Sequence, residues 1–189
     1  HAQMIDDPIQ DVILKFSGTA KDTRTISLAF LKGLLEKQIP ERINYINAEA
    51  IAKDLGLNIQ ITYENTEANY SNLLSSIVSF NGSKQQLDGS VFDQNRPRLV
   101  SINNYEIEVK IQGTMLFVEN NDMPGVIGSV GSFLGAEKIN IAAYLLSRSI
   151  DDGLAFAVVR VDSKLSEEQI SSLANLDHIR SIKQIYVSN

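Results

Sequence analysis

The 189 residues include no cysteine, no tryptophan, two histidines and four prolines. Without cysteine the chain has no disulfide, no thiolate nucleophile and no cysteine metal site. Its histidines, His1 at the terminus and His178 entering the last strand, leave little for proton transfer near neutral pH. His1 is expected to fray and His178 to be a surface or turn residue. No apolar run reaches the length of a membrane span, and the start shows no signal-peptide pattern. Seventeen Lys and Arg against 23 Asp and Glu give a formal charge of −6. That balance lacks the basic face a nucleic-acid backbone requires. G-x-S-x-G, H-E-x-x-H, a P-loop and a strand-linked G-x-G-x-x-G are also missing. Asp151-Asp152-Gly153 reads as hairpin chemistry, not a metal site, while Lys21-Asp22 and Glu167-Glu168 read as solvated charges. The expectation is therefore no catalytic residue, no metal, no nucleic acid and no membrane partner, in a cytoplasmic protein. The opening His1-Ala-Gln-Met, in place of an initiator Met, suggests a fragment or processed product.

What is present is ordinary for a globular protein: 43% hydrophobic and 21% charged residues, enough for one large or two small cores. Asp11–Phe16 reads as a short apolar strand. Thr25–Lys37 reads as a helix, with Ile26, Phe30, Leu31, Leu34 and Leu35 at helical spacing. Ile43–Ile46 looks strand-like, and Asn47–Leu55 helical, stopped by Gly56. Strand patterning returns at Asn58–Tyr63. Leu73–Phe80 and Gln85–Phe92 flank a hairpin connection, Asn81-Gly82-Ser83-Lys84. Leu99–Ile102 and Tyr105–Ile111 flank the two-residue turn Asn103-Asn104. The first portion, residues 1–112, thus predicts a small α+β domain with a long antiparallel meander.

From Gly113 to residue 189 the order is strand Met115–Glu119, helix Pro124–Glu137, strand Asn140–Ser149, strand Leu154–Asp162, helix Ser166–Leu176, strand Ile179–Val187. Ser166 with Gln169 makes a capping box. This βαββαβ order predicts a ferredoxin-like unit of four antiparallel strands with two helices on one face. The overall class is α+β.

The stretch from Val118 to Arg148 carries the most information. A strand ends in Asn120-Asn121-Asp122 and passes through Pro124 into a helix with Gly125, Gly128, Gly131 and Gly135. Asn140 then opens the next strand. Glycine costs a helix about 0.8–1 kcal/mol relative to alanine, so these four call for close approach, either of the helix on its sheet or of a ligand. A helix start beside polar side chains favours a carboxylate. Equally, Asn120, Asn121 and Asp122 suit a loop that satisfies backbone groups, and Asn140 suits a left-handed turn. Spacing alone leaves both readings open. It points to sensing in preference to catalysis.

Asn120-Asn-Asp-Met-Pro-Gly-Val, the glycine series and Ile139-Asn-Ile-Ala-Ala through Ser147 together resemble the ACT domain that closes D-3-phosphoglycerate dehydrogenase. Asn47-Ala-Glu-Ala-Ile-Ala-Lys-Asp-Leu-Gly and Arg98-Leu-Val-Ser-Ile-Asn-Asn to Gly113 resemble the intervening, allosteric-substrate-binding domain of its long form. The resemblance covers about Asp11 to Val187. It implies that residues 1–112 are the intervening domain and 113–189 the ACT regulatory domain. The dehydrogenase domain, with its NAD site, would lie upstream, and the chain itself would hold no cofactor.

In that family serine, the end product, binds between paired ACT domains. The matching residues are Asn120, Asp122 and Asn140: Asp122 for the ammonium, Asn140 and the helix-start amides for the carboxylate and hydroxyl. At Asn120 the family more often has an aromatic or histidine. The intervening domain offers an anion site for phosphate or a phosphorylated hydroxy or keto acid. Its matching residues are Arg98, Lys110 and Arg160, expected to converge at the seam, with Lys110 where the family tends to have Arg. Other expectations are homo-oligomers built through ACT pairing and NAD in the parent enzyme. Two alternatives stand beside this: the regulatory domain pair of a bacterial L-serine dehydratase, and a purely structural oligomerisation module.

Overall fold

A computed structural model describes residues 1–19, 22–64, 70–93, 95–149 and 152–188. In chain order the elements are β1 (Ile9–Gly18), α1 (Thr23–Leu35), α2 (Ala48–Asp54), β2 (Asn58–Glu64), β3 (Asn72–Phe80), β4 (Ser83–Phe92) and β5 (Arg96–Ile102). They continue with β6 (Tyr105–Val109), β7 (Gly113–Asn121), α3 (Val126–Ala136), β8 (Ile141–Arg148), β9 (Leu154–Val161), α4 (Glu167–Ala174) and β10 (Ile179–Val187). Packing divides the chain into two units, His1–Asn104 and Tyr105–Asn189. The division falls just after the Asn103-Asn104 turn, ahead of Gly113.

In the first unit β1 alternates buried Val12, Leu14 and Phe16 with more exposed residues, so one face of the strand looks into a core. That core is closed by Leu31, Leu34 and Leu35 of α1, Ala48 and Ala52 of α2, and Val78 of β3. β1 pairs parallel with β2 and antiparallel with β3, and β4 and β5 follow as antiparallel neighbours. The meander from β3 to β5 agrees with the sequence. The β3–β4 connection is tighter than expected: Ser83 and Lys84 already belong to β4, leaving Asn81-Gly82 as the turn. Their φ angles of 45° and 75° are the left-handed pair that a two-residue hairpin needs. Asn103 and Asn104, at 46° and 71°, solve the same problem.

Three local expectations are corrected. Ile43–Ile46 is not a strand; Asn44 folds it into a turn by accepting from Ile46 N at 2.8 Å, and Ile46 is 92% exposed. Asp22 is more than a solvated charge. Its carboxylate caps α1 by accepting from Thr25 N at 3.0 Å, which holds its pKa below the usual value. His1 does not fray: its ring meets Gln85 Oε1 and Ser76 Oγ, each at 2.9 Å, and lies edge-on to Phe30. Lys21 and Asp151 lie outside the described residues.

The second unit has the expected βαββαβ order, and its sheet runs β10-β7-β9-β8, antiparallel throughout. Leu116 and Val118 of β7 with Ala157, Val159 and Val161 of β9 face Val130 and Leu134 of α3 and Leu173 of α4. On the opposite face Phe156 stacks on Tyr105 of β6 at 5.4 Å and meets Phe117 edge-on. The capping box at α4 is present in full, Ser166 accepting from Gln169 N and Gln169 accepting from Ser166 N. This is a ferredoxin-like unit.

Candidate functional site

The end of β7 is held by three backbone donors. Asn121 N donates to His178 O at 2.9 Å, Asp122 N to Gly153 O at 2.8 Å, and Met123 N to Asn121 O at 2.8 Å. His178 is therefore the exposed turn residue expected, with a φ of 69°. Pro124 follows, and Gly125 takes φ 95° as the N-cap of α3 without any side chain to cap it. The amides of the helix start consequently have no capping oxygen from that residue.

Asn120 lies inside the strand, not in a loop, and is only 3% exposed. It shares strand parity with Leu116 and Val118, which puts it on the side of the helices. Its Nδ2 donates to Asn121 O at 2.7 Å, while its Oδ1 is buried with no partner. A buried acceptor left open costs on the order of 1–3 kcal/mol, so this atom is a marked feature of the site.

Asp122 is two residues further on. Arg148, the last residue of β8, grips one of its oxygens: Nε donates to Oδ2 at 2.6 Å, and the second guanidinium nitrogen also lies 2.6 Å from Oδ2. The Asp122 side chain is 23% exposed and that of Arg148 69%. Hydrogen bonding to Asp122 raises the Arg148 pKa, so the guanidinium is charged at any working pH. The sequence reading missed Arg148. The only signal was an arginine closing an alternating strand, and its partner is 26 positions away.

Asn140 does not join this group within one chain. It opens β8 at the other end of the sheet, where its Nδ2 donates to Asp162 Oδ2 at 2.8 Å. The register sets Ile141 opposite Val161 and Val161 opposite Thr114, whereas Asn121 faces Leu154. At about 3.3 Å per residue, the two ends stand roughly 20 Å apart. The left-handed residue before β8 is Lys138, with φ 59°, and not Asn140.

The glycines of α3 do not mark close packing. A Cβ built at Gly125, Gly128, Gly131 or Gly135 meets nothing within 4 Å. They face away from the sheet, whose contacts are made by Val126, Val130 and Leu134.

Of the three cations expected together, Arg98 is in the first unit, and Lys110 and Arg160 are in the second. Arg98 is the third residue of β5, opposite Ser90, and Nη1 donates to Pro97 O at 3.0 Å. Lys110 is exposed, just beyond β6. Arg160 sits half-buried in β9 between Met115 and Ala143, on the Phe156 and Val158 face. Asp162 is committed to Asn140, and no ion pair is made by Arg160 among the described residues. Those residues also contain no cluster of three or more His, Asp or Glu able to hold a metal. None of their helices is long and apolar enough to cross a membrane.

An ion pair, an orphaned carboxamide and an uncapped helix start can hold a small polar molecule. They supply no nucleophile with a base behind it. The fold is that of a pair of small α+β domains. Residues 1–103 match the D-3-phosphoglycerate dehydrogenase intervening domain, and the chain belongs to that family. The D-3-phosphoglycerate dehydrogenase of Bacillus subtilis (strain 168) is 31% identical over 186 residues, covering 97% of this chain and 35% of that protein. That of Methanocaldococcus jannaschii is 29% identical over 185 residues, covering 97% and 35%. That of Archaeoglobus fulgidus is 32% identical over 161 residues, covering 84% and 30%. The chain thus spans about a third of the length of the curated relatives it matches, and corresponds to their C-terminal region. Among solved structures, the C-terminal domain of the MgtC protein from Mycobacterium tuberculosis aligns with a TM-score of 0.33 at 10% identity. It covers 42% of this chain and 90% of that one, a likeness too slight to argue from.

Proposed function

We propose that this chain is the regulatory region of a D-3-phosphoglycerate dehydrogenase. In this reading NAD-dependent oxidation of 3-phosphoglycerate, the entry to L-serine synthesis, is carried out by a catalytic domain outside the chain. Residues 113–189 act as an ACT domain and residues 1–112 as the intervening domain, in a cytoplasmic homo-oligomer. L-serine, as feedback inhibitor, binds between two ACT domains. Asn120 and Asp122 of one chain and Asn140 of its neighbour line the site.

The observation that carries this is the pairing of two open acceptors beside a helix start. Asn120 Oδ1 has no partner, and Asp122 uses one carboxylate oxygen for Arg148. An ammonium needs such acceptors, and a carboxylate needs the N–H groups of the α3 start. The distance between Asp122 and Asn140 within one chain favours a site completed by a second copy. A side-by-side pair of ferredoxin-like units brings opposite ends of two sheets together.

The test is calorimetric. Losing a charged hydrogen bond costs on the order of 1.5–3 kcal/mol, so Asp122→Ala and Asn140→Ala should each weaken L-serine binding about tenfold or more. Unchanged affinity in both variants would remove the assignment. No serine binding by the unaltered chain would leave the purely structural oligomerisation module as the better reading.

We also propose that Arg98, Lys110 and Arg160 bind phosphate or a phosphorylated hydroxy or keto acid. A half-buried arginine without an ion pair, in a chain of net charge −6, is the supporting feature. Arg160→Ala should weaken inorganic phosphate binding about tenfold while leaving serine binding intact.

A further inference from the structure

We infer that Arg148 makes the Asp122 site selective for zwitterions, so that the effector must be an α-amino acid and not a simple amine. This rests on the reading that the site takes an amino acid, and it adds the group that sets its ligand class.

Both contacts of Arg148 go to the same oxygen, Asp122 Oδ2. The pair is therefore one-sided. A guanidinium has five N–H donors in a rigid fork, and two are used here. The outer edge, formed by its two terminal nitrogens, keeps donors free for a second carboxylate. On the other side Asp122 Oδ1 keeps its lone pairs. The two charges together present an anionic and a cationic face a few ångströms apart, with no net charge.

Asp122 without Arg148 would be an unpaired anion, favouring any organic cation. With Arg148 in place, an incoming amine has to share an already neutralised carboxylate and brings nothing to the guanidinium. A zwitterion meets both, its ammonium on Oδ1 and one carboxylate oxygen on the free edge, the other oxygen facing the N–H groups of the α3 start. The discrimination is a difference of affinities, created as much by penalising the amine as by holding the acid.

The probes are L-serine and ethanolamine, which is serine without its carboxylate. Calorimetry on the whole chain should give at least about tenfold tighter binding for serine. In Arg148→Gln the serine-to-ethanolamine ratio should fall by about tenfold. Serine affinity should drop while ethanolamine binding holds or improves. Arg148→Lys, a charge without the planar fork, should fall between. Because the Arg148 side chain is 69% exposed, these variants should fold, and a thermal melt checks it. An unchanged ratio in Arg148→Gln, with Asp122→Asn still abolishing serine binding, would overturn Arg148 selectivity and leave the serine site standing. Absence of serine binding by the unaltered chain would overturn both.

Discussion

Among the described residues of the second unit, two buried polar atoms lack a partner, and they ask for different explanations. Tyr144, on β8, packs its ring into the core cluster between sheet and helices, with its hydroxyl unbonded. Burial pushes its pKa up, the sign of a hydroxyl in apolar surroundings. Nothing ionic stands beside it. Tyr144→Phe should therefore stabilise the unit by about 1 kcal/mol, measured by urea unfolding, with serine affinity unchanged. Loss of stability would show that the hydroxyl is satisfied in solution. Asn120 differs because it stands at the end of β7, two residues before Asp122. The sequence could single out Asn120 and Asp122 as candidates, since polar residues before Pro-Gly are conspicuous. It could not show that Asn120 is buried, or that Arg148 reaches Asp122, because both depend on which strands become neighbours.

Periodicity placed the helices and most strands within a residue or two, because each has one apolar face. It failed where apolar residues occur without a period, as at Ile43–Ile46, where Asn44 bonds two backbone amides and makes a turn. It also failed over what the α3 glycines mean. Their spacing marks a face, but a face can look inward or outward, and here Val126, Val130 and Leu134 take the inward positions. Gly131 lies mid-helix, and a Cβ there meets no atom within 4 Å. Gly131→Ala should thus add about 0.5–1 kcal/mol of stability, read as a higher melting temperature. A lower melting temperature, with dissociation of an oligomer, would show that a second copy presses against this face.

For the molecule as a whole, the alternation of strands and helices was enough to read α+β and the ferredoxin-like order. The parallel pairing of β1 with β2 was not legible. A half-buried strand shows the same alternation whichever way its neighbour runs. The second sheet ends in β8 on one side and β10 on the other. Open edges invite another chain, and the exposed Met123 and Ile127 at the start of α3 add apolar surface nearby. The chain should self-associate without ligand at micromolar concentration, as a mass by light scattering at least twice that of the monomer. A monodisperse monomer would refute this.

The placement of β1 has a consequence for the order in which the chain can be made. It lies between β2 and β3, so neither of its flanks is covered by sequence that emerges next to it. Its contact from Asp11 to Asn58 already spans 47 positions, and Val12 must wait for Val78 on the other side. At translation rates of about 5–20 residues per second, β1 leaves the ribosome on the order of 2–10 s before β2 does. During that interval Val12, Leu14 and Phe16 have only α1 and α2 to cover them. The two helices, which form from local contacts, are in effect the temporary cover under which a nascent strand waits for its partners.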